Sequence, residues 1–206
     1  AGKNFSMQLG ENGGWYDASF FFGTGCVSEW QTDDSGQFVS VNDTFNSAAG
    51  LAALKGMQII TKSPNYVSSG NGTDFGAAVP SAVVVSGTWV AKDVQEILGD
   101  NYGATDLPSF TVDGKTYHMG SFSGNKLVGV KPQTGDAKKN AVCQQLALYL
   151  TSEKCQLERF EAVEWGPSNL AAQQNSAVKS NAALAALAQQ NAYAVDRKST
   201  RLNSSH

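Results

Sequence analysis

Arginine is almost missing from this chain, with three in 206 residues, at 159, 197 and 201. Lys+Arg totals 15 against Asp+Glu 18, a net charge of −3. A nucleic-acid binder neutralises phosphates with a basic face, and this balance provides none. It also argues against attachment to an anionic membrane surface. Histidine is scarcer still, at two, and only His118 lies outside the C-terminal stretch 196–206. The three cysteines, Cys26, Cys143 and Cys155, show no C-x-x-C spacing. With one histidine beside them, a zinc site has no support. No apolar run approaches the roughly 20 residues of a membrane span.

Other chemistries fail on spacing. Gly23-Thr-Gly25 lacks the third glycine of a dinucleotide fingerprint. Gly120-Ser-Phe-Ser-Gly124-Asn-Lys126 is too short for a phosphate-binding loop and has Asn where the lysine belongs. Any Ser-His-Asp or Cys-His arrangement would have to use His118, on the arm Tyr117-His118-Met119, where a solvated or packed strand histidine is the simpler reading. The composition thus points to neither cofactor nor metal.

What is present is glycine (21), asparagine, serine and aromatic residues. Asn4–Leu9 alternates apolar and polar, the pattern of a strand. Trp15–Phe22 reads as a short helix closed by Gly23, and Gln31–Phe38 as a hairpin tip. Asn42-Asp43-Thr44 offers a helix start, with helical spacing through Thr61. Residues 63–72 read as a loop, and Asp74 as the cap of a short helix running toward Pro80. Ala82–Val85 has the pattern of a strand buried on both faces. A helix at 90–98 ends at Gly99, and Tyr102–Phe110 reads as an edge strand because of Pro108. Asp113-Gly114 joins two strands as a two-residue hairpin turn. A strand at 126–130, helices at 136–150 and 152–163 and a last helix from Asn181 to Ala192 complete an α/β pattern.

Three aromatics carry the functional reading. Trp15 and Tyr16 follow a Gly-Gly break, and Trp89 follows the carboxyl end of the strand at 82–85, the end beyond which open α/β sheets bind ligands. Flat rings on loops there make platforms for apolar sugar faces, and nearby Asp, Asn and Ser take hydroxyls. The same rings serve as well as core anchors, and the residues alone leave that open. Without a free guanidinium fork, the balance tilts away from carboxylate or phosphate ligands and toward a neutral, hydroxyl-rich one. Arg159 lies within a helix, where pairing with a nearby glutamate is the ordinary expectation.

Val-Ser-Gly-Thr-Trp89, Asn-Tyr-Gly-Ala-Thr-Asp-Leu-Pro108 and Leu-Tyr-Leu-Thr-Ser-Glu153, in this order, resemble the extracellular solute-binding proteins of bacterial ABC importers, in particular the maltose/maltodextrin-binding type. Asn42–Gly56, Gly120–Val130 and the run on to Phe160 extend the resemblance over roughly residues 4–195. It implies an incomplete periplasmic-binding-protein-like two-lobe α/β fold. Residues 1–122 would form most of the second lobe, 123–180 a segment returning to the first, and 181–195 a helix of the second. Ser121-Phe-Ser-Gly124 resembles a crossing segment between lobes.

The resemblance makes Trp15, Tyr16 and Trp89 sugar-stacking residues, Asp17, Ser121 and Ser123 weaker polar contacts, and Phe122 and Trp165 possible supports. It implies no catalysis. The partners would be a sugar or oligosaccharide and an ABC transporter membrane permease, with no nucleic acid. The protein would be a monomer, outside the cell, lipid-anchored in full length. Export makes a Cys143–Cys155 bridge conceivable, although the two stand at unequal distances from Thr151. A peptide or polyamine ligand is the alternative. A glycan-active hydrolase is a weaker one: the acids beside tryptophans, Asp17 and Glu164, fall in different expected lobes and would not form the paired carboxylates of glycoside cleavage.

Both ends depart from the family pattern. The chain opens without Met or signal peptide, as if inside a longer protein, and 196–206 resembles a translated sequencing adapter. Leaving that stretch out removes Arg197, Lys198, Arg201 and Asp196, so the net charge becomes −5 and Arg159 is the last arginine. About half a ligand cleft is expected, with exposed apolar surface on 126–180, weak solubility and little sugar affinity for these residues alone.

Overall fold

The structure, a computed structural model, describes residues 3–10, 14–124, 126–133 and 135–196. The expected non-native tail therefore lies outside the described residues, apart from the backbone of Asp196. The chain divides into two compact units. One comprises the described residues of 1–86, 106–124 and 188–196, and the other those of 87–105 and 125–187. The stretch 1–122 is thus shared between them, because 87–105 goes with the second.

The strands of the first unit are β1 (Asn4–Ser6), β2 (Ser28–Thr32), β3 (Phe38–Asp43), β4 (Tyr66–Val67), β5 (Ser81–Val84), β6 (Ser109–Val112), β7 (Lys115–His118), β8 (Ser121–Ser123) and β9 (Ala194–Asp196). Its helices are α1 (Gly14–Gly23) and α2 (Ala48–Thr61). A parallel sheet runs β4-β1-β5, with Phe5 opposite Tyr66 on one side and Val83 on the other. β2 and β3, and β6 and β7, are antiparallel hairpins, whereas β8 and β9 pair in parallel. In the β6–β7 turn Asp113 and Gly114 both take positive φ, 50° and 79°, the conformation that a two-residue turn matching strand twist requires.

Met7, Leu9, Phe20, Ala53, Val85, Phe110, Val112 and Met119 form the core of this unit. α1 contributes Phe20, whose ring centroid lies 5.1 Å from that of Phe110. α2 approaches closely because Gly56 has no Cβ, and one there would lie 2.5 Å from the Phe110 ring. At the sheet centre the fully buried Ser6 hydroxyl lies 2.6 Å from Asp74 Oδ2 and 2.8 Å from the Ser69 carbonyl. It has one proton to donate between these two acceptors.

The second unit is mainly helical: α3 (Ala91–Leu98), α4 (Ala137–Leu150), α5 (Glu153–Val163), α6 (Ser176–Ser180) and α7 (Ala182–Gln190), whose last turn counts with the first unit. Side-chain caps start three of them, two where expected, while at α5 the cap is Ser152 rather than the expected Thr151. Asp136 accepts from the Lys139 N–H, Ser152 from that of Cys155 and Asn181 from that of Leu184. Gln156 is buried and joins α5 to the following loop, its Oε1 accepting the N–H groups of Ser168 and Asn169 at 2.7 and 3.0 Å.

Several expectations fail. Asn42 and Asp43 are the end of β3, not a helix start; Ser47 caps α2 instead, accepting from the Gly50 N–H. The loop 63–72 contains β4. β5 is not buried on both faces, since it lies at the sheet edge and Val83 is exposed. Of the expected 102–110 strand only 109–110 forms, as the start of β6, and 126–130 forms none, with Leu127 exposed. Among the described residues Arg159 pairs with no glutamate; its Nη2 donates to the Leu150 carbonyl near the C-terminus of α4, where a cation suits the helix dipole.

Candidate functional site

In the first unit the expected residues gather at the start of α1. Trp15 and Phe22 are seven positions apart, so they share a helix face, and both meet Phe122 of β8. The Trp15 and Phe122 centroids are 4.6 Å apart at 38°, and Phe22 stands edge-on to Phe122 at 5.0 Å. Each such pair contributes about 0.5–1.5 kcal/mol beyond area burial. Trp15 nevertheless remains 45% exposed, with Phe122 against its ring.

Tyr16 points the other way. It is half-buried and packs against the core with Phe20, four residues on, so its ring is a structural anchor rather than a free platform. Asp17 closes the preceding loop by accepting the Gly10 N–H at 3.2 Å, and its charge suits the first turn of a helix. Ser121 is half-buried and receives a hydrogen bond from Gln190 Nε2, while Ser123 is exposed.

Trp89 belongs to the second unit, in a 3₁₀ turn at Thr88–Val90. Its ring lies against Gly87, where any Cβ would overlap it, and the side chain is 60% exposed. Gly87 therefore lets the indole fold back on its own backbone and present its other face to water. Trp165 is also half-exposed, but the Lys126 ammonium sits 4.1 Å from its ring centroid, a cation–π contact that occupies one face.

Beside Trp165, Glu164 accepts a hydrogen bond from Asn181 Nδ2 at 3.1 Å. Partial burial, and secondarily the Glu164 charge, hold the Tyr102 phenol above its ordinary value of 10. The fold thus favours the protonated phenol. That contribution is complete below pH 10 and is lost as pH rises through the raised pKa. Tyr102→Phe is expected to shrink the stability lost as pH rises above 10, read by urea midpoints at each pH; an unchanged loss would refute it.

His118 is a packed strand histidine, as its position suggests. Its Nε2 lies 3.1 Å from Asp106 Oδ2, and its ring stacks on Tyr193 at 3.6 Å. Cys26, Cys143 and Cys155 are free thiols, so the conceivable Cys143–Cys155 bridge is absent, in keeping with their unequal distances from Thr151. Among the described residues, no three His, Cys, Asp or Glu side chains gather as metal ligands would, and no helix is long and apolar enough to cross a membrane.

The residue that sequence reasoning missed is Gln190. Its polar side chain is buried, and its partners are fifty or more residues away in sequence. A faint signal exists in its helix, where Ala183, Ala186 and Gln190 fall on one face and are all buried.

The first unit thus holds a three-stranded parallel sheet, and each unit carries an exposed indole, Trp15 in one and Trp89 in the other. Residues 2–186 match the profile of the bacterial extracellular solute-binding proteins, and the chain belongs to that family of binders, not enzymes. Among solved structures, one determined with acarbose is 26% identical with a TM-score of 0.75, over 94% of this chain and 50% of that one. The maltose-maltodextrin binding protein of Alicyclobacillus acidocaldarius (23% identity, TM-score 0.65, 94% and 51%) shares the fold. So does a maltodextrin binding protein of L. casei solved without ligand (19%, 0.66, 91% and 48%). The chain spans about half the length of these solved chains. No curated protein matches it.

Proposed function

We propose that the whole protein carrying this chain is an extracellular carbohydrate-binding protein, for maltose or maltooligosaccharides, that delivers sugar to an ABC transporter permease. The observation that carries this reading is the exposure of two indoles, each backed on one side: Trp15 by Phe122 and Trp89 by Gly87. A backed indole is a preorganised flat surface, so little rotamer freedom is lost when a pyranose face covers it. Family membership and the maltodextrin-binding neighbours support the ligand class. The shortage of arginine supports a neutral ligand over a peptide carboxylate.

The mechanism is capture without conversion. A sugar that contacts one conformation better shifts the population toward it, and the permease distinguishes the loaded from the empty state. A monomer, lipid-anchored at the membrane, fits that role.

Calorimetric titration of maltotriose, spermidine and a tripeptide into the full-length gene product tests the reading. Maltotriose alone is expected to bind, with affinity falling about 30-fold in Trp89→Ala, the scale of a buried aromatic contact. Binding of spermidine or peptide instead, or a Trp89→Ala protein with unchanged affinity, overturns it.

A further inference from the structure

We propose that Gln190 is a positioning residue for the Trp15 platform, acting through Ser121 and Phe122; its bearing on sugar affinity rests on the carbohydrate reading above, while its control of the Trp15 surroundings does not. The Gln190 side chain is only 6% exposed, and its amide makes three hydrogen bonds. Oε1 accepts the Leu107 N–H at 2.8 Å, and Nε2 donates to the Met119 carbonyl at 3.1 Å and to Ser121 Oγ at 3.3 Å. The amide orientation is dictated by chemistry, because a backbone N–H can only donate and a carbonyl can only accept. A flipped amide would set like against like.

These partners tie one side chain to both ends of the 106–124 stretch of the first unit. Leu107 stands just after the chain re-enters it, Met119 and Ser121 shortly before the chain leaves again, and Gln190 itself just after the second return. Ser121 opens β8, which has three residues and, among the described residues, pairs only with the three of β9. A two-stranded element that short is marginal unaided, so its placement depends on side-chain anchors. Phe122, the next residue, is the ring against which Trp15 lies. Phe22 holds that ring from the side, and Gln190 holds the Ser121 hydroxyl and the Met119 carbonyl, one and three residues before it.

A merely structural glutamine would lower stability when replaced and leave the remaining folded molecules with a normal Trp15. A positioning glutamine changes the indole in molecules that stay folded. The experiment uses a variant of the full-length protein in which Trp15 is the one tryptophan of this region (Trp30→Phe, Trp89→Phe, Trp165→Phe), any others outside it also replaced by Phe, with and without Gln190→Met. In protein folded by far-ultraviolet circular dichroism, Gln190→Met is expected to roughly double the acrylamide quenching of Trp15. Ser121→Ala, which cuts only the link to β8, is expected to raise it less, and decides the matter should Gln190→Met fail to fold. Unchanged quenching overturns the proposal.

A double-mutant cycle with maltotriose, in the full-length protein with all its tryptophans as the parent, extends the test. Gln190→Met is expected to weaken binding about five-fold in the parent and not at all in Trp15→Ala. Equal weakening in both backgrounds overturns it. Should the parent bind no sugar, the carbohydrate reading falls while the quenching result still decides the role of Gln190.

Discussion

Phe20→Ala is expected to cost about 3–5 kcal/mol, the range for deleting a core phenylalanine. The side chain is fully buried, and its neighbours come from distant parts of the chain. Its ring tilts against Phe110, which stacks in turn on Tyr117 at 5.5 Å. Phe110 also presses on Gly56 of α2, so the space left by Phe20 cannot be closed by moving one helix alone. The cavity term therefore adds in full to the lost transfer energy. Urea denaturation checks this, with an unchanged slope and a lower midpoint expected. Leu51→Ala on the exposed side of α2 serves as the comparison, since Leu51 is 55% exposed and surface changes stay within about 0.5 kcal/mol. Equal losses in the two variants would show that the core is not closed around Phe20.

Gly23→Ala is expected to cost about 3 kcal/mol, the upper end of overpacking penalties. A methyl group at this position overlaps the His118 carbonyl oxygen and comes within 3.1 Å of the His118 carbonyl carbon and 3.2 Å of Met119 Cα. These are backbone atoms, so no rotamer change gives way, and α1 must lift from the end of β7. Gly14, at the other end of the same helix, has nothing within 4 Å of the equivalent point. Gly14→Ala is therefore expected to be neutral or to stabilise by about 0.4–1 kcal/mol through reduced freedom of the unfolded chain. Thermal unfolding of the pair separates close packing from helix propensity. Similar midpoints for Gly23→Ala and the parent would mean that α1 does not sit tightly on this edge.

The elements legible in the sequence are those with local causes. Asp113-Gly114 dictated its turn, and Asp136 and Asn181 marked helix starts by side-chain capping. The failures have non-local causes. β4 is two residues long and exists because β1 offers it a partner sixty positions away. Asn42 and Asp43 look like caps, but Val39 and Val41 alternate with polar residues and draw the segment into a hairpin with β2. For the site, exposed aromatics could be proposed but not sorted. Trp15 and Tyr16 are neighbours on a helix, and the 100° between them sends one toward Phe122 and the other into the core. Trp89 stands out by its place after the strand at 82–85 and then by the family resemblance, and Gly87 supplies the physical reason for its exposure.

The parallel pairing of β8 with β9 has a consequence during synthesis. Ser121 lies beside Ala194, and the stretch between them folds largely as the other unit. A ribosome must release residue 196 before the ladder can close, several seconds after β8 emerges at about 5–20 residues per second. Until then the nascent chain carries an unpaired strand, open to proteases and holdase chaperones, and a stop codon anywhere before Gln190 leaves it so permanently.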